Sequence, residues 1–210
     1  MKYLICILIS YLIGTASPSY LIAKARGVDI REKGSKNAGA SNVLMLFGKL
    51  AGVLCALLDI AKAAFAVWLC EKIFPSHALV FPIAGVSCIF GHIFPFYMQF
   101  RGGKGLACLG GMILAYDWRV FVVMLSCELI VALVTNYICF VPLTASVAFP
   151  IVYGVMGGEL LGVLILFAAA VVIFVKHREN LSRIRKGTEM RLSFLWNKEK
   201  ELERLNIPNE

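Results

Sequence analysis

Residues 78–98 read ALVFPIAGVSCIFGHIFPFYM, an apolar run that contains no Lys, Arg, Asp or Glu. A helix needs roughly 20 such residues to cross the hydrocarbon core of a bilayer. The 210-residue chain is 60% hydrophobic and 16% charged, with a mean hydropathy of +0.80, which is too apolar for an ordinary water-soluble domain. The sequence therefore predicts an integral membrane protein.

Similar apolar segments flank this run on both sides, and together they predict an all-α bundle of about seven transmembrane helices. The segments span about 1–23, 50–70, 78–98, 105–116, 118–134, 137–156 and 160–175. The fourth is short, and five crossings result if two of the weaker segments are re-entrant or merged. We expect residues 1–187 to form a single transmembrane domain and residues 188–210 to form a charged cytoplasmic tail.

Basic residues are concentrated in three parts of the chain. Of the 21 Lys and Arg, 17 lie within 24–49, at Arg101 and Lys104, or after Val175. Seven crossings put all three parts on one membrane face, and the positive-inside rule makes that face cytoplasmic. The N-terminus is then outside and the C-terminus is in the cytoplasm. The same clustering favours the lipid bilayer, and not nucleic acid, as the partner of the net charge of +8.

The residue types that hold metals or hydrolyse bonds form no known pattern here. Seven cysteines are scattered through apolar segments without a C-x-x-C pair, and the sequence has neither an H-E-x-x-H motif nor an acidic cluster suited to magnesium. We therefore expect no metal, no cofactor and no disulfide framework. The sequence does not indicate an oligomeric state.

A first polar segment, 34–42, interrupts the apolar chain. Glycine permits close backbone approach to an anion, while Ser, Asn and Lys side chains add donors and positive charge. The segment predicts a phosphate-binding loop; the alternative is a flexible loop whose charge serves only topology. Its candidate binding residues are Gly34, Ser35, Lys36, Asn37, Gly39, Ser41 and Asn42.

A second polar segment opens the short fourth helix, so the positive end of that helix dipole points at whatever the loop binds. The spacing is not that of a nucleotide-binding P-loop. The alternative is a turn that carries basic topology markers. The candidate phosphate-binding residues of this segment are Arg101, Gly102, Gly103, Lys104 and Gly105.

A third polar segment, Lys176–Asn180, follows the last apolar run. A helix that continues past Val175 puts His177 and Asn180 on one face at the membrane surface. The histidine is suited to donating to a phosphate or exchanging a proton, although an interfacial residue among basic neighbours is the alternative. Arg183 and Glu189, which follow this segment, are assigned supporting roles.

Two ionisable residues lie inside the second apolar segment, where an isolated charge is costly. Asp59 and Lys62 are spaced i, i+3 and are therefore able to pair. The pair either stabilises packing or orients the phosphate site. We expect His92 to cap or brace the turn into the second polar segment.

Taken together, the three polar segments predict a phosphate-binding site at the cytoplasmic membrane surface. Such a site is suited to joining a phosphorylated acceptor to a lipid donor. Two alternatives remain open on the residues alone: a transporter or flippase for a small phosphorylated solute, and a binding or regulatory protein that retains an enzyme's fold.

Motifs distributed over nearly the whole chain resemble those of the bacterial acyl-phosphate:glycerol-3-phosphate acyltransferases, the PlsY family. They lie at Pro18–Lys24, Gly27–Arg31, Gly34–Asn42, Gly91–Pro95, Phe100–Gly105, His177–Asn180 and Gly187–Glu189. All of them occur in the family's order and at family-like spacing. By this resemblance the chain is identified as a divergent member of the family.

The resemblance implies a multi-pass enzyme of the bacterial inner membrane with its active site on the cytoplasmic side. Its substrates are acyl phosphate and glycerol 3-phosphate, and its products are lysophosphatidate and phosphate, in the first step of phospholipid synthesis. By the same resemblance, Ser35, Lys104, His177 and Asn180 are catalytic, with Lys104 neutralising phosphate charge. The family uses no metal directly.

Several positions depart from the family's pattern. The resemblance implies glycine where this chain has Lys36, threonine where it has Ser41, and arginine where it has Met45. Lys176 stands in place of an arginine before His177. If the charge of the arginine missing at Met45 is replaced, Lys36 or Lys49 is the residue expected to replace it.

Overall fold

The chain folds into an all-helical bundle in the computed structural model, which describes residues 1–205. The last five residues of the predicted tail, 206–210, lie outside the described part. The helices are α1 (Lys2–Thr15), α2 (Pro18–Ala25), α3 (Ala40–Phe47), α4 (Lys49–Ile73), α5 (Val80–Ile93), α6 (Leu106–Tyr116), α7 (Trp118–Thr135), α8 (Phe140–Val155), α9 (Leu160–Arg185) and α10 (Lys198–Arg204).

Five stretches of this bundle are long and apolar enough to cross a membrane, namely Lys2–Ala25, Lys49–Ile73, Val80–Met98, Trp118–Thr135 and Leu160–Arg185. The apolar helices α6 and α8 are shorter, at 11 and 16 residues. Large apolar side chains such as Val134 and Leu160 are 80% and 74% exposed, which suits a surface that faces lipid. The predicted all-α membrane bundle is confirmed, while the number of crossings stays a prediction.

The first predicted segment is not one continuous helix, because α1 ends at Thr15 and α2 begins at Pro18. Proline lacks an N–H and disfavours helical backbone in the residue before it. Ser17 is accordingly extended and caps α2, its hydroxyl accepting the Tyr20 N–H at 3.2 Å. The break leaves the Ala16 carbonyl free to accept a hydrogen bond from Lys62 at 2.5 Å.

Helix α5 lies at the centre of the bundle, with 12 of its 14 residues buried. It packs closely on α1 because small residues face each other across the crossing. A Cβ on Gly91 would lie 2.2 Å from the Tyr11 carbonyl oxygen, and one on Gly14 would lie 2.1 Å from that of Cys88. This contact fixes the end of α5 that leads into the second polar segment.

The two ends of the bundle differ in chemistry. At one end, Phe81, Tyr116, Phe149 and Tyr153 form an aromatic cluster, with the Phe81 and Tyr153 rings stacked at 5.6 Å. At the other end the three polar segments come together. The polar end therefore holds the residues that the sequence assigns to the site.

Candidate active site

Asn42 holds the conformation of the first polar segment. Its side chain is fully buried in the first turn of α3. Its side-chain amide donates to the carbonyls of Ile30 and Lys33, both at 3.0 Å, and its Oδ1 accepts the Ser35 N–H at 2.9 Å. Asn42 thus holds the loop in shape, in contrast to its predicted contact with phosphate. Sequence reasoning also took this part for loop alone and missed helix α3.

The remaining predicted residues of the first segment divide into two groups. Gly34 adopts a left-handed conformation (φ 58°) against the Asn42 side chain, and Gly39 is the N-cap of α3. Ser41 is exposed on α3. Only three side chains face the cavity described below, and these are Ser35, Lys36 and Asn37.

Arg31 and Glu32, just before the first segment, link it to the chain around the second segment. The Arg31 guanidinium binds both carboxylate oxygens of Asp29, the shorter contact being 2.7 Å, and donates to the Met98 carbonyl at 3.0 Å. These hydrogen bonds from Arg31 lower the pKa of Asp29 to about 2. Arg101 also binds Glu32 at 3.0 Å, although both of these side chains are more than half exposed.

The glycine loop of the second segment is held against the end of α5. The Gly102 N–H donates to the Ile93 carbonyl at 3.1 Å, and the Gly103 N–H donates to the His92 carbonyl at 3.0 Å. These two N–H groups are therefore not free for an anion, which differs from the sequence-based expectation. A Cβ on Gly103 would lie 2.1 Å from His92 Nε2, and Gly105 (φ 92°) is the N-cap of α6.

A buried charged cluster packs against this glycine loop. The predicted pairing is confirmed, with Lys62 Nζ 2.7 Å from Asp59 Oδ1, and His92 Nδ1 lies 3.1 Å from the same ammonium. Asp59, His92 and Cys108 have donor atoms within 4.8 Å of one another, a group able to hold a metal ion. Lys62 already supplies a cation to the carboxylate there. His92 braces the glycine loop, as the sequence predicts.

The third segment meets the second through a hydrogen-bonded chain. Lys104 Nζ donates to Asn180 Oδ1, and the Asn180 amide donates to Glu189 Oε1 at 2.5 Å. Arg183 Nε donates to Glu189 Oε2 at 2.6 Å. Burial and the neighbouring Arg183 charge lower the pKa of Lys104 below its ordinary value. Glu189 thus orients Asn180, which in turn orients the lysine.

His177 lies one turn before Asn180, and both side chains are buried on the same face of α9. Its Nδ1 lies 2.8 Å from the Ile173 carbonyl oxygen. Because a carbonyl only accepts hydrogen bonds, this contact puts the ring proton on Nδ1 and leaves Nε2 as an acceptor. The shared face predicted from the i, i+3 spacing is confirmed.

A cavity of about 630 Å³ joins the three polar segments. Its polar side contains five cationic side chains against the single carboxylate of Glu179, and its other side is apolar. The lining residues are Ser35, Lys36, Asn37, Phe94, Arg101, Gly102, Lys104, Val171, Val172, Val175, Lys176, Arg178 and Glu179. An amphipathic ligand with an anionic head fits this division of the walls.

Sequence reasoning missed part of this lining. Lys176 and Arg178 stand in the third segment beside His177, so their proximity was a usable signal. The valines of α9 and Phe94 carry no such signal, because apolar residues that face a cavity resemble those that face lipid. Lys176 Nζ lies 4.8 Å from the centroid of the Phe94 ring, which joins the two walls.

Comparison with known proteins places these features in a family. The family model described as glycerol-3-phosphate acyltransferase matches residues 4–187. The chain is 35% identical to the glycerol-3-phosphate acyltransferase of Symbiobacterium thermophilum, over 88% of this chain and 92% of that one. It is 32% identical to the Lactiplantibacillus plantarum protein of the same name, over 92% and 94%.

Two solved structures share the fold. The first is a crystal structure of PlsY, an integral membrane glycerol 3-phosphate acyltransferase, in its glycerol 3-phosphate form. It matches with a TM-score of 0.85 and 30% identity, over 93% of this chain and 98% of that one. The second is the lysophosphatidic acid form, with a TM-score of 0.81, 30% identity and coverage of 91% and 95%.

Proposed function

The chain belongs to the glycerol-3-phosphate acyltransferase family, and we propose that it transfers an acyl group from an acyl phosphate to the 1-hydroxyl of glycerol 3-phosphate in the cavity between its polar segments. The protein is an integral membrane acyltransferase of phospholipid synthesis. The observation that carries the proposed donor and site is the cavity itself, which sets five cationic side chains opposite an apolar wall.

The polar side of the cavity suits a ligand with phosphate. Lys104 is held in place by Asn180 and is half-buried, so water screens its charge only in part. Ser35 and Asn37 add neutral donors, and Lys36, Lys176 and Arg178 add positive charge. Of the two lysines expected to replace the arginine missing at Met45, Lys36 lines the cavity and Lys49 is not among its lining residues.

The apolar side of the cavity suits the acyl chain. Val171, Val172 and Val175 line the cavity on α9, before the third polar segment, and Val171 and Val175 are 63% and 53% exposed, so this wall is open at its side. An acyl phosphate bound along this wall has its phosphate near Lys104 and its chain against the valines. The wall accordingly favours an activated lipid donor over a small soluble one.

The reaction needs little from the protein beyond positioning and charge. The 1-hydroxyl oxygen attacks the acyl carbonyl carbon, a new C–O bond forms, and the bond from that carbon to the phosphate oxygen breaks. Inorganic phosphate leaves with the bonding electron pair, and the hydroxyl proton passes to a phosphate oxygen. Lys104 stabilises the leaving phosphate. His177 is buried and is not among the residues that line the cavity, and we assign to its Nε2 a hydrogen bond from the acceptor on the family resemblance.

The proposal includes a topology. Seven crossings put the three basic segments on the cytoplasmic face of the bacterial inner membrane, with the N-terminus outside. The contact of Lys2 Nζ with His77 Nε2 at 2.9 Å supports this arrangement, because both residues then lie on the outer face. Glycerol 3-phosphate would thus reach the cavity from the cytoplasm.

The test is phosphate release from palmitoyl phosphate by the purified protein in detergent, with and without glycerol 3-phosphate. We expect release that depends on the acceptor and is abolished by Lys104→Ala and by His177→Ala. Lys72→Ala is the matched control, since Lys72 is exposed at the other end of α4. Acceptor-independent release, or full activity in Lys104→Ala, would overturn the proposal.

A further inference from the structure

The C-terminal tail folds back onto its own first residues, just after α9. Arg204, on α10, donates through Nη1 to the Gly187 carbonyl at 2.5 Å and through Nη2 to the Glu189 carbonyl at 2.7 Å. One guanidinium therefore holds the backbone on both sides of Thr188. The residue held is the same Glu189 whose carboxylate orients Asn180.

A buried carboxylate fixes that guanidinium in turn. Glu201 is 4% exposed and binds Arg204 through both carboxylate oxygens, at 2.5 and 3.0 Å. It also accepts the Arg191 N–H at 2.7 Å, across ten residues of the tail. Burial of a carboxylate in an exposed seven-residue helix is unusual unless the group is paired, and here the pairing closes the tail on itself.

The tail is anchored at a second point on the bundle. Asn136, between α7 and α8, accepts the Leu192 N–H through its carbonyl at 2.7 Å and the Ser193 N–H through its Oδ1 at 2.9 Å. The tail thus bridges the end of α7 and the end of α9. These two anchors restrain residues 187–193 and with them Glu189.

We propose that Glu201 and Arg204 are positioning residues, which act through Glu189 and Asn180 to hold Lys104 where the reaction needs it. The path from the tail to the cavity is continuous. Arg204 holds the Glu189 backbone, the Glu189 carboxylate binds Asn180, and Asn180 binds Lys104. The inference rests on the proposed function, because it assigns a consequence to the position of that lysine.

The experiment measures kcat and KM for glycerol 3-phosphate in the full chain, with palmitoyl phosphate as donor. Arg204→Ala is expected to lower kcat roughly tenfold, because a small misplacement of a catalytic group has a large effect on rate. Arg204→Lys is expected to be faster than Arg204→Ala but slower than the wild-type protein. An ammonium is able to bind one of the two carbonyls but not both at once, as the guanidinium does. Lys200→Ala, which removes an exposed charge from the same helix, is the matched control.

A double-mutant comparison separates positioning from a general loss of folding. If Arg204 acts through Glu189, adding Arg204→Ala to Glu189→Gln lowers kcat little further. Full additivity of the two changes, or wild-type kcat in Arg204→Ala, would overturn the positioning role. A lowered thermal midpoint with unchanged kcat per folded molecule would do the same. Failure of the proposed function is distinct, because the wild-type protein itself then shows no acceptor-dependent release.

Discussion

Lys104 and Asn180 form a direct hydrogen bond although 76 residues separate them in the chain. Asn180 accepts a hydrogen bond from the lysine through Oδ1 and donates one to Glu189 through Nδ2. It therefore connects the second polar segment to the third. No side chain without both an acceptor and a donor fills that place.

Replacement of Asn180 should therefore affect catalysis more than stability. We expect Asn180→Ala to lower kcat/KM for glycerol 3-phosphate about a hundredfold, because Lys104 loses its support. Acceptor-dependent phosphate release gives the measurement. Asn197→Ala, at an exposed asparagine of the tail, is the control and should retain wild-type kinetics. Wild-type kcat/KM in Asn180→Ala would show that Asn180 is not needed to position Lys104.

The lowered pKa of Lys104 predicts a limit to activity on the alkaline side. Only the protonated amine stabilises phosphate, and burial moves its deprotonation below the ordinary lysine value of about 10.4. As pH rises through this lowered pKa, kcat/KM should fall. A bound phosphate raises the pKa again, so kcat should fall at a higher pH than kcat/KM.

Lys104→Arg tests that assignment, because a guanidinium stays charged over the whole accessible range. Whatever activity this variant retains should lose the alkaline decline of kcat/KM. A decline at the same pH as in the wild-type protein would assign the titration to another group.

Gly103 should not tolerate a side chain. A Cβ there would lie 2.1 Å from the His92 ring, which is itself fixed by Asp59 and Lys62. We expect Gly103→Ala to lower the free energy of unfolding by about 1–3 kcal/mol and to lower kcat by displacing Lys104. Gly110→Ala, whose Cβ would have its nearest neighbour at 3.6 Å, is the control. Equal effects of the two changes would argue against the clash.

Local spacing explains what the sequence predicts correctly. The apolar segments, the Asp59–Lys62 pair and the shared face of His177 and Asn180 depend on helix periodicity within a few residues. By contrast, Asn42 and the Gly103 N–H form hydrogen bonds with the backbone carbonyls of Ile30 and His92, and only the folded chain brings these partners together. Local sequence does not carry that information.

The apolar wall of the cavity was unpredictable for a different reason. Val172 faces the cavity and Leu164 faces lipid, yet both are aliphatic residues of the same helix. In a bilayer the outside of a bundle is as apolar as its interior, so hydrophobicity does not distinguish the two. Only the packing of α9 against its neighbours makes one of them a wall.

The buried pair in α4 predicts a characteristic pattern of stability. Asp59→Asn leaves the Lys62 ammonium without its carboxylate, and removal of one partner of a buried pair costs about 3–5 kcal/mol. The double change Asp59→Asn with Lys62→Met should cost less than the sum of the two single changes. Denaturant unfolding in mixed micelles measures these differences. Lys72→Met, at an exposed position of α4, should change the free energy of unfolding by less than about 0.5 kcal/mol.

The apolar wall predicts a change in donor preference. Val172 is half-buried on the wall, and Val172→Phe adds bulk where the proposed acyl chain lies. We expect the ratio of kcat/KM for palmitoyl phosphate to that for octanoyl phosphate to fall roughly tenfold, since a few lost methylene contacts are worth that much. Leu164→Phe makes a similar change on a side chain of α9 that is 56% exposed, and it should leave the ratio unchanged. Because the two variants add an aromatic ring to the same helix, a shift common to both would locate the chain outside the cavity, whereas a shift confined to Val172→Phe requires the acyl chain to lie along these valines.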